Sequence, residues 1–279
     1  MEGKDIVVTG GAGFIGSHLV DALVGENDVT VIDDLSTGRE EWVNDEAAFE
    51  EVDVRNREAV QAALGSPDVV FHLAADAHTR ATSAGWDADV NANGTLTLLD
   101  VIRESDADPR IVYASSAAVY GNPEEVPITE AHLKNPISPY GIHKLTGEKY
   151  MNAYASEHSL DTVSVRIFNV FGPRQPRYVM YDFLKKLQDD SSELEVLGTG
   201  RQTRDYCFID DAVQGLVVAA EDGETGEAYN MSGDNVISIG DLAELMVELL
   251  ELDTDIHYTE ETWKGDPKRL EADISKLEG

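Results

Sequence analysis

Tyr140 and Lys144 stand four residues apart in the run Tyr140-Gly141-Ile142-His143-Lys144. On a helix that spacing puts the phenol and the ammonium on one face. A cation beside a phenol favours the phenolate and lowers its pKa toward working pH. Such a pair could take a proton from a substrate hydroxyl or return one to a ketone. Tyr and Lys at this spacing are also common as a surface pair, so the run identifies nothing alone. A second run, Tyr113-Ala114-Ser115-Ser116-Ala117-Ala118, offers the Ser116 hydroxyl to a reacting oxygen. Its plain reading is a serine-rich turn that bonds its own backbone.

The third run is Thr9-Gly10-Gly11-Ala12-Gly13-Phe14-Ile15-Gly16. It follows an apolar strand pattern and opens a helical one. Glycines there permit a tight turn, close approach of backbone to a pyrophosphate, and close helix–strand packing. The helix start presents unpaired N–H groups and a partial positive charge to phosphates. Asp33 lies at the end of the next strand pattern and could accept hydrogen bonds from ribose hydroxyls, which favours NAD over NADP. Asp34 competes for that role.

Elements of a particular kind must position these groups. The pattern predicts strands at residues 6–9, 29–32, 49–54, 68–73, 110–114 and 162–167. It predicts helices at 14–24, 86–104 and 140–158 between them. Apolar strands separated by helices make a parallel sheet covered on both faces, and right-handed crossovers make it doubly wound. Ligands of such sheets bind at the carboxyl ends of the strands, and the Ser116 run sits just past one such end. From residue 169 the pattern is less regular. A Pro/Gly/Arg loop at 172–177 precedes helices at 180–188, 211–221 and 239–251, with short strands near Glu195 and Tyr206. The expectation is an α/β chain: a doubly wound parallel-sheet domain with a smaller C-terminal α/β substrate lobe.

The chain has 279 residues, 42% hydrophobic and 27% charged, a globular balance. Fifty-four Asp and Glu stand against 21 Lys and Arg, for a net charge of −33. That excludes a general nucleic-acid binder and argues against an anionic membrane surface. The carboxylates run through the whole chain, which points to a salt-loaded cytoplasm where screening relieves self-repulsion. Cys207 is the only cysteine, so an intrachain disulfide and a thiolate metal cluster are excluded. No signal-peptide pattern and no apolar run of ~18 residues is present, and a cytoplasmic protein is expected.

Together the motifs resemble the extended short-chain dehydrogenase/reductases, and most closely the nucleotide-sugar epimerases of the UDP-glucose 4-epimerase type. The resemblance covers nearly the whole chain. It runs through TGGAGFIGSHL at 9–19, DDLSTG at 33–38, HLAA at 72–75, NANGT at 91–95 and SSAAVYG at 115–121. It continues through YGIHK at 140–144, RIFNVFGPRQ at 166–175 and RQTRDY at 201–206. It implies a Rossmann domain over residues 1–168 that binds NAD. Residues 169–279 would mainly bind substrate, with some segments returning to the Rossmann core. Gly10, Gly13, Phe14, Ile15 and Gly16 would cradle the pyrophosphate and Asp33 the adenosine ribose. Asp53 and Val54 would face the adenine, Ala74 and Ala75 would line the cofactor's path, and Asn93 would support it. Ser116, Tyr140 and Lys144 would be the catalytic set, with Tyr140 and Lys144 also touching the cofactor. Ser116, Asn169 and Arg204 would meet a nucleotide-sugar substrate, UDP-linked by family frequency. The implied reaction is C4 epimerisation through a transient 4-keto sugar with NAD held tightly. A homodimer would pair the helices at 86–104 and 140–158 between subunits.

Within that resemblance, 4,6-dehydratases carry an acid pair after the catalytic Ser or Thr, and glucuronate decarboxylases carry Glu at the second of those positions. Both positions are alanine here, Ala117 and Ala118. Methyl groups cannot serve as the acid and base that water elimination needs at C5 and C6. An NAD(P)-dependent nucleotide-sugar reductase and a non-catalytic cofactor-binding protein are the rival readings. The stretch Thr262-Trp263-Lys264-Gly265-Asp266 places Lys264 where relatives often have a phosphate-gripping arginine. Plain readings cover the rest. His72 is packed, His78 and His143 lack a partner at metal spacing, Asp210-Asp211 cap a helix, Cys207 is core, and Tyr120 lines the pocket wall.

Overall fold

The structure is a computed structural model that describes residues 1–77, 87–233, 235–261 and 269–279. His78 and the 262–266 stretch lie outside the described residues. In chain order the elements are β1 (Asp5–Thr9), α1 (Phe14–Leu23), β2 (Asp28–Asp33), β3 (Ala48–Glu51), α2 (Arg57–Leu64), β4 (Val69–His72), α3 (Thr95–Glu104), β5 (Arg110–Ser116), α4 (Pro139–His158) and β6 (Thr162–Ile167). There follow β7 (Asn169–Phe171), α5 (Val179–Asp189), β8 (Glu193–Val196), β9 (Thr203–Phe208), α6 (Ile209–Asp222), β10 (Ala228–Met231), β11 (Val236–Ser238), α7 (Ile239–Leu249), β12 (Asp255–Tyr258) and α8 (Ser275–Glu278).

Seven strands form one parallel sheet in the order β10-β6-β5-β4-β1-β2-β3. The chain order reverses direction between β1 and β4, which opens a crevice at the carboxyl ends there. Alternation along β1 sends Ile6 and Val8 into one core with Leu19, Val165 and Leu216. Val7 goes to the other face with Leu98, Ile111, Tyr113 and Met151. Both faces are therefore buried, as continuous apolar strands require. Two smaller sheets, β11-β9-β7 and β12-β8, lie in the second half of the chain. β10 joins the large sheet beside β6, and α6 contributes Ala212, Leu216 and Ala219 to the same core as Val163.

The strand and helix types agree with the sequence pattern, with local differences. The helix predicted at 86–104 begins as a π-helical turn, Asp89–Gly94, before α3. Wider turns of this kind re-aim side chains. Here Asn91 is buried, and Gly94 lies so close to β3's exit that a Cβ there would stand 2.8 Å from the Val54 side chain. β3 ends at Glu51 rather than 54, because the Asp53 carboxylate turns the chain by accepting the Arg55 N–H at 2.9 Å. Asp210 and Asp211 occupy the first turn of α6 and complement its dipole, but the cap position is Phe208, so they are not caps. Tyr120 is 1% exposed and donates to Asn230 Oδ1 at 2.6 Å, so it braces the core and does not line the pocket.

α4 carries the Tyr–Lys pair. Ser138 caps it by accepting the Gly141 N–H at 3.1 Å, and Pro139 takes the first position, where its missing N–H costs nothing. Gly147 lets the helix lie against β5, since a Cβ there would fall on the Tyr113 hydroxyl. Among the described residues no helix is long and apolar enough to cross a membrane, and no group of His, Cys, Asp and Glu could hold a metal ion.

Candidate active site

A cleft of about 1200 Å³ runs across the carboxyl ends of the large sheet. Single-ligand pockets usually measure ~300–1,000 Å³, so this one has room for more than one small molecule. Gly10, Gly13, Phe14, Ile15, Gly16, Asp33, Val54, Ala74, Ala75, Ser116, Tyr140, Lys144, Asn169 and Arg204 all line it. Two further predicted residues do not. Asp53 is turned to Arg55, whose Nε donates to both its oxygens at 2.9 and 3.0 Å, and this ion pair holds its carboxyl below the usual range. Asn93 is exposed and donates to Asp89 Oδ1 at 2.9 Å.

At one end the glycine loop approaches β4. Gly10 has φ +75°, and a Cβ there would stand 2.6 Å from the Ala74 nitrogen. Gly16 packs its α-carbon over the Gly10 carbonyl with no room for a side chain. Gly13 caps α1 without a side-chain acceptor, and no acid sits in the first turn. The leading N–H groups of α1 therefore face the cleft uncapped, which suits an anionic pyrophosphate. Asp33 accepts the Ala12 N–H at 3.0 Å and the Leu35 N–H at 2.8 Å. Burial pushes its carboxyl pKa up, opposed by those two donors. It thus ties the glycine loop to β2 while lining the cleft.

At the other end, three consecutive residues of β5 meet three successive turns of α4. Tyr140 hydrogen-bonds Ser116, Lys144 Nζ donates to the Ala114 carbonyl at 2.7 Å, and Ser115 Oγ donates to Glu148 Oε1 at 2.5 Å. Ser116 Oγ also accepts the Ala118 N–H at 3.2 Å. The sequence predicts that Lys144 lowers the Tyr140 pKa. The structure shows otherwise: burial pushes the Tyr140 phenol well above its ordinary value, opposed by the Ser116 hydrogen bond and by Arg177. Lys144 Nζ is 6.0 Å from the Tyr140 ring centre, and burial pulls its own pKa down to about 7. The lysine is close to losing the charge that would act on the phenol.

That shift has a consequence for stability. Between about 7 and the ordinary 10.5 the unfolded chain keeps a proton that folded Lys144 has shed. Stability then rises with pH across that window, by at most about 1.4 kcal/mol per unit. In denaturant titrations of NAD-free protein, wild type should gain on Lys144→Met as pH increases through the window. Parallel curves would contradict the shift.

Two residues inside the motifs, Asn91 and His72, brace the site. Asn91, not Asn93, grips the wall: its side chain accepts the Asp76 N–H and donates to the Asp76 carbonyl, both at 2.8 Å. The π-helical turn places Asn91 on the buried side of NANGT and Asn93 on the exposed side. His72 is fully buried and lies between Thr9 and Thr95, with its pKa pulled down to about 3. The Thr95 hydroxyl donates to the Asn91 carbonyl at 2.8 Å, so it accepts from His72 Nε2–H, and Nδ1 accepts from Thr9. His72 is a neutral bridge between β1, β4 and α3. Asn169 donates to the Asp205 carbonyl at 3.2 Å, and Arg204 to the Thr203 carbonyl at 2.8 Å. Both face the cleft from the small β11-β9-β7 sheet.

Comparison with known proteins agrees with this geometry. Residues 6–232 match the model of the NAD dependent epimerase/dehydratase family. The chain belongs to that family. A UDP-glucose 4-epimerase of Mycolicibacterium smegmatis is 34% identical over 81% of this chain and 76% of its own. UDP-glucuronic acid decarboxylase 1 of Xenopus tropicalis is 33% identical over 98% of this chain and 66% of its own. The crystal structure of a UDP-glucose 4-epimerase with UDP-glucose from Thermotoga maritima superposes with TM-score 0.91 at 33% identity, over 98% of this chain and 91% of its own. The epimerase/dehydratase family member described here is therefore an NAD-dependent enzyme of nucleotide-sugar chemistry with a Rossmann-type sheet.

The residues present fit NAD: the uncapped start of α1, the glycines packed without side chains and the buried Asp33 together form a dinucleotide-shaped half of the cleft.

Proposed function

We propose that the protein is a nucleotide-sugar 4-epimerase that keeps NAD bound through the cycle. The observation that carries this reading is the cleft wall directly after Ser116, where Ala117 and Ala118 present methyl groups. Elimination needs an acid and a base at C5 and C6, and that wall supplies neither. C4 chemistry needs one proton handler and one orienting hydroxyl, and both are in reach of each other. Tyr140, acting as the phenolate, takes the sugar 4-hydroxyl proton and as the phenol later returns it, Ser116 aligns the oxygen, and Lys144 braces the β5 end. Bound NAD supplies the site that accepts and returns the C4 hydride. The glycine loop and α1 hold its pyrophosphate, and Asp33 holds its ribose. Asn169 and Arg204 hold the diphosphate of a UDP-linked substrate.

Residues 169–279 are proposed to serve mainly the substrate, with α6 and β10 returning to the Rossmann core. A homodimer is proposed through the faces of α3 and α4. The test is protein purified in molar KCl and incubated with UDP-sugars without added cofactor, with products separated chromatographically. A C4 epimer supports the reading. Net NADH formation on adding NAD would replace it with a reductase.

The charge also has an expected outcome. At −33 the fold repels itself, and screening length falls from about 30 Å at 0.01 M salt to about 3 Å at 1 M. Tm should climb steeply with KCl over that range. A flat Tm would remove the proposed salt-loaded setting.

A further inference from the structure

β9 has a cleft side and a back. Gln202 just before it, and Arg204 and Tyr206 within it, line the cleft. Successive strand residues point to opposite faces, so Asp205 points away from the cleft, behind the small β11-β9-β7 sheet. It is 0% exposed, and its carboxylate is held by backbone N–H groups from two distant segments. Oδ1 accepts the Asn235 N–H, 30 residues on, at 3.1 Å, and Oδ2 accepts the Ala272 N–H, 67 residues on, at 2.9 Å. A buried charge is tolerated only when hydrogen bonds compensate it, and here both oxygens are used.

Each contact fixes a segment against the back of β9. The Asn235 contact sets the turn into β11, where Ile237 pairs with Arg204. The Ala272 contact fixes a strap, residues 269–274, between β9 and the loop before α4. At one end of the strap the Leu270 N–H donates to the Thr203 carbonyl at 3.2 Å. At the other the Ile128 N–H donates to the Glu271 carbonyl at 2.7 Å, and the Asp273 N–H to the Ile128 carbonyl at 2.9 Å. That pairing uses the neighbours of Ala272 and leaves its own N–H for Asp205. Leu270 and Ala272 pack in one core cluster with Ala117 and Phe168, and Leu270 also lines the cleft. The Asp205 carbonyl accepts from Asn169 Nδ2 at 3.2 Å, so the same residue also meets the second polar group of that wall.

We propose that Asp205 is a positioning residue for the diphosphate end of the cleft. By latching the strap and the turn into β11 to the back of β9, it fixes the aim of Arg204 and Asn169. The assignment rests on the reading that these two residues hold the diphosphate. Its carboxylate stands on the face opposite the ligand, so it acts on affinity through placement of the strand and not by contact. Coupling of this kind is reciprocal: a latch that strengthens diphosphate binding is itself strengthened by the diphosphate.

The test uses UDP as the probe on NAD-loaded protein in molar KCl. Asp205→Asn keeps the size and one acceptor oxygen, but sets an amide NH2 against a backbone N–H. UDP affinity by calorimetry should fall about tenfold, within the usual range for coupling between sites. The loss should appear as a raised KM for the UDP-sugar, with kcat and bound NAD affected much less. Arg204→Ala is measured beside it. A loss of UDP affinity in Arg204→Ala and none in Asp205→Asn keeps the diphosphate reading and overturns the proposal. Unchanged affinity in both variants removes the reading, and the proposal with it. A lower Tm with unchanged UDP affinity, or an equal loss of bound NAD, makes Asp205 a general stabiliser and also overturns it. If Asp205→Asn does not fold, wild type decides. UDP should slow amide hydrogen exchange in peptides covering 232–236 and 271–274, none of whose described residues lines the cleft. Unchanged exchange there overturns the proposal.

Discussion

Tyr140→Phe should leave the fold and the bound NAD in place and lower turnover by about 10²–10⁴-fold, the usual worth of a positioned proton donor. The ring is half-buried in the cleft wall on the second residue of α4, so phenylalanine keeps the packing and deletes one hydroxyl. What disappears is the hydroxyl that faces Ser116 and that the proposed mechanism uses for proton exchange with the sugar. Steady-state turnover by product chromatography, with NAD content read after denaturing the purified protein, checks both halves. Turnover within tenfold of wild type would remove Tyr140 from the proton-transfer role. Loss of NAD would show that the hydroxyl served cofactor binding instead. Because burial pushes the phenol upward, the wild-type rate should still be rising on the alkaline side of neutrality, and the residual rate of the variant should lack that limb.

The large sheet was legible because a strand covered on both faces leaves an unbroken apolar run, as at residues 68–73. The glycine loop was legible because its backbone approaches a neighbouring chain segment, and only one residue type permits that. Ser116, Tyr140 and Lys144 were legible as types on elements whose ends converge by topology. The electrostatics were not. The sequence places a cation four residues from the phenol, but not the Ala114 carbonyl that the ammonium reaches or the burial that drives its pKa to about 7. Asn91 and Asn93 differ only in which side of a π-helical turn they occupy, and a uniform helical phase cannot register that widening. Asp53 reads as an acid at a strand end, and its partner two residues on consumes it. Glu148 and Arg166 are 18 residues apart in different elements, and neither carries a spacing signature that links them.

Glu148→Gln should cost about 3–5 kcal/mol of stability, the penalty for leaving a buried charge without its counter-ion. Arg166 and Glu148 side chains are 5% and 6% exposed, and the guanidinium forks onto both carboxylate oxygens at 2.8 Å. The same carboxylate accepts from Ser115, the neighbour of Ser116, and the same arginine donates to the Tyr120 hydroxyl at 2.8 Å and the Glu130 carbonyl at 3.1 Å. Tyr120 passes the chain on to Asn230, whose amide reaches the Ile128 carbonyl at 2.8 Å. One ion pair thus clamps the end of β5, the third turn of α4, β6 and β10. Denaturant titration in molar KCl measures the loss. Glu148→Met combined with Arg166→Met should recover much of it, because an apolar pair leaves no orphaned charge. Equal losses in the single and double variants would show that packing, not charge pairing, holds the clamp. Turnover separates the stability role from the catalytic one. With the glutamine variant still folded, Ser115 retains an acceptor but the fork loosens, so kcat should fall while NAD content stays constant. That split follows from where the clamp acts: it closes on the strand end and helix turns that carry Ser116, Tyr140 and Lys144, and the glycine loop lies beyond it on the far side of β4.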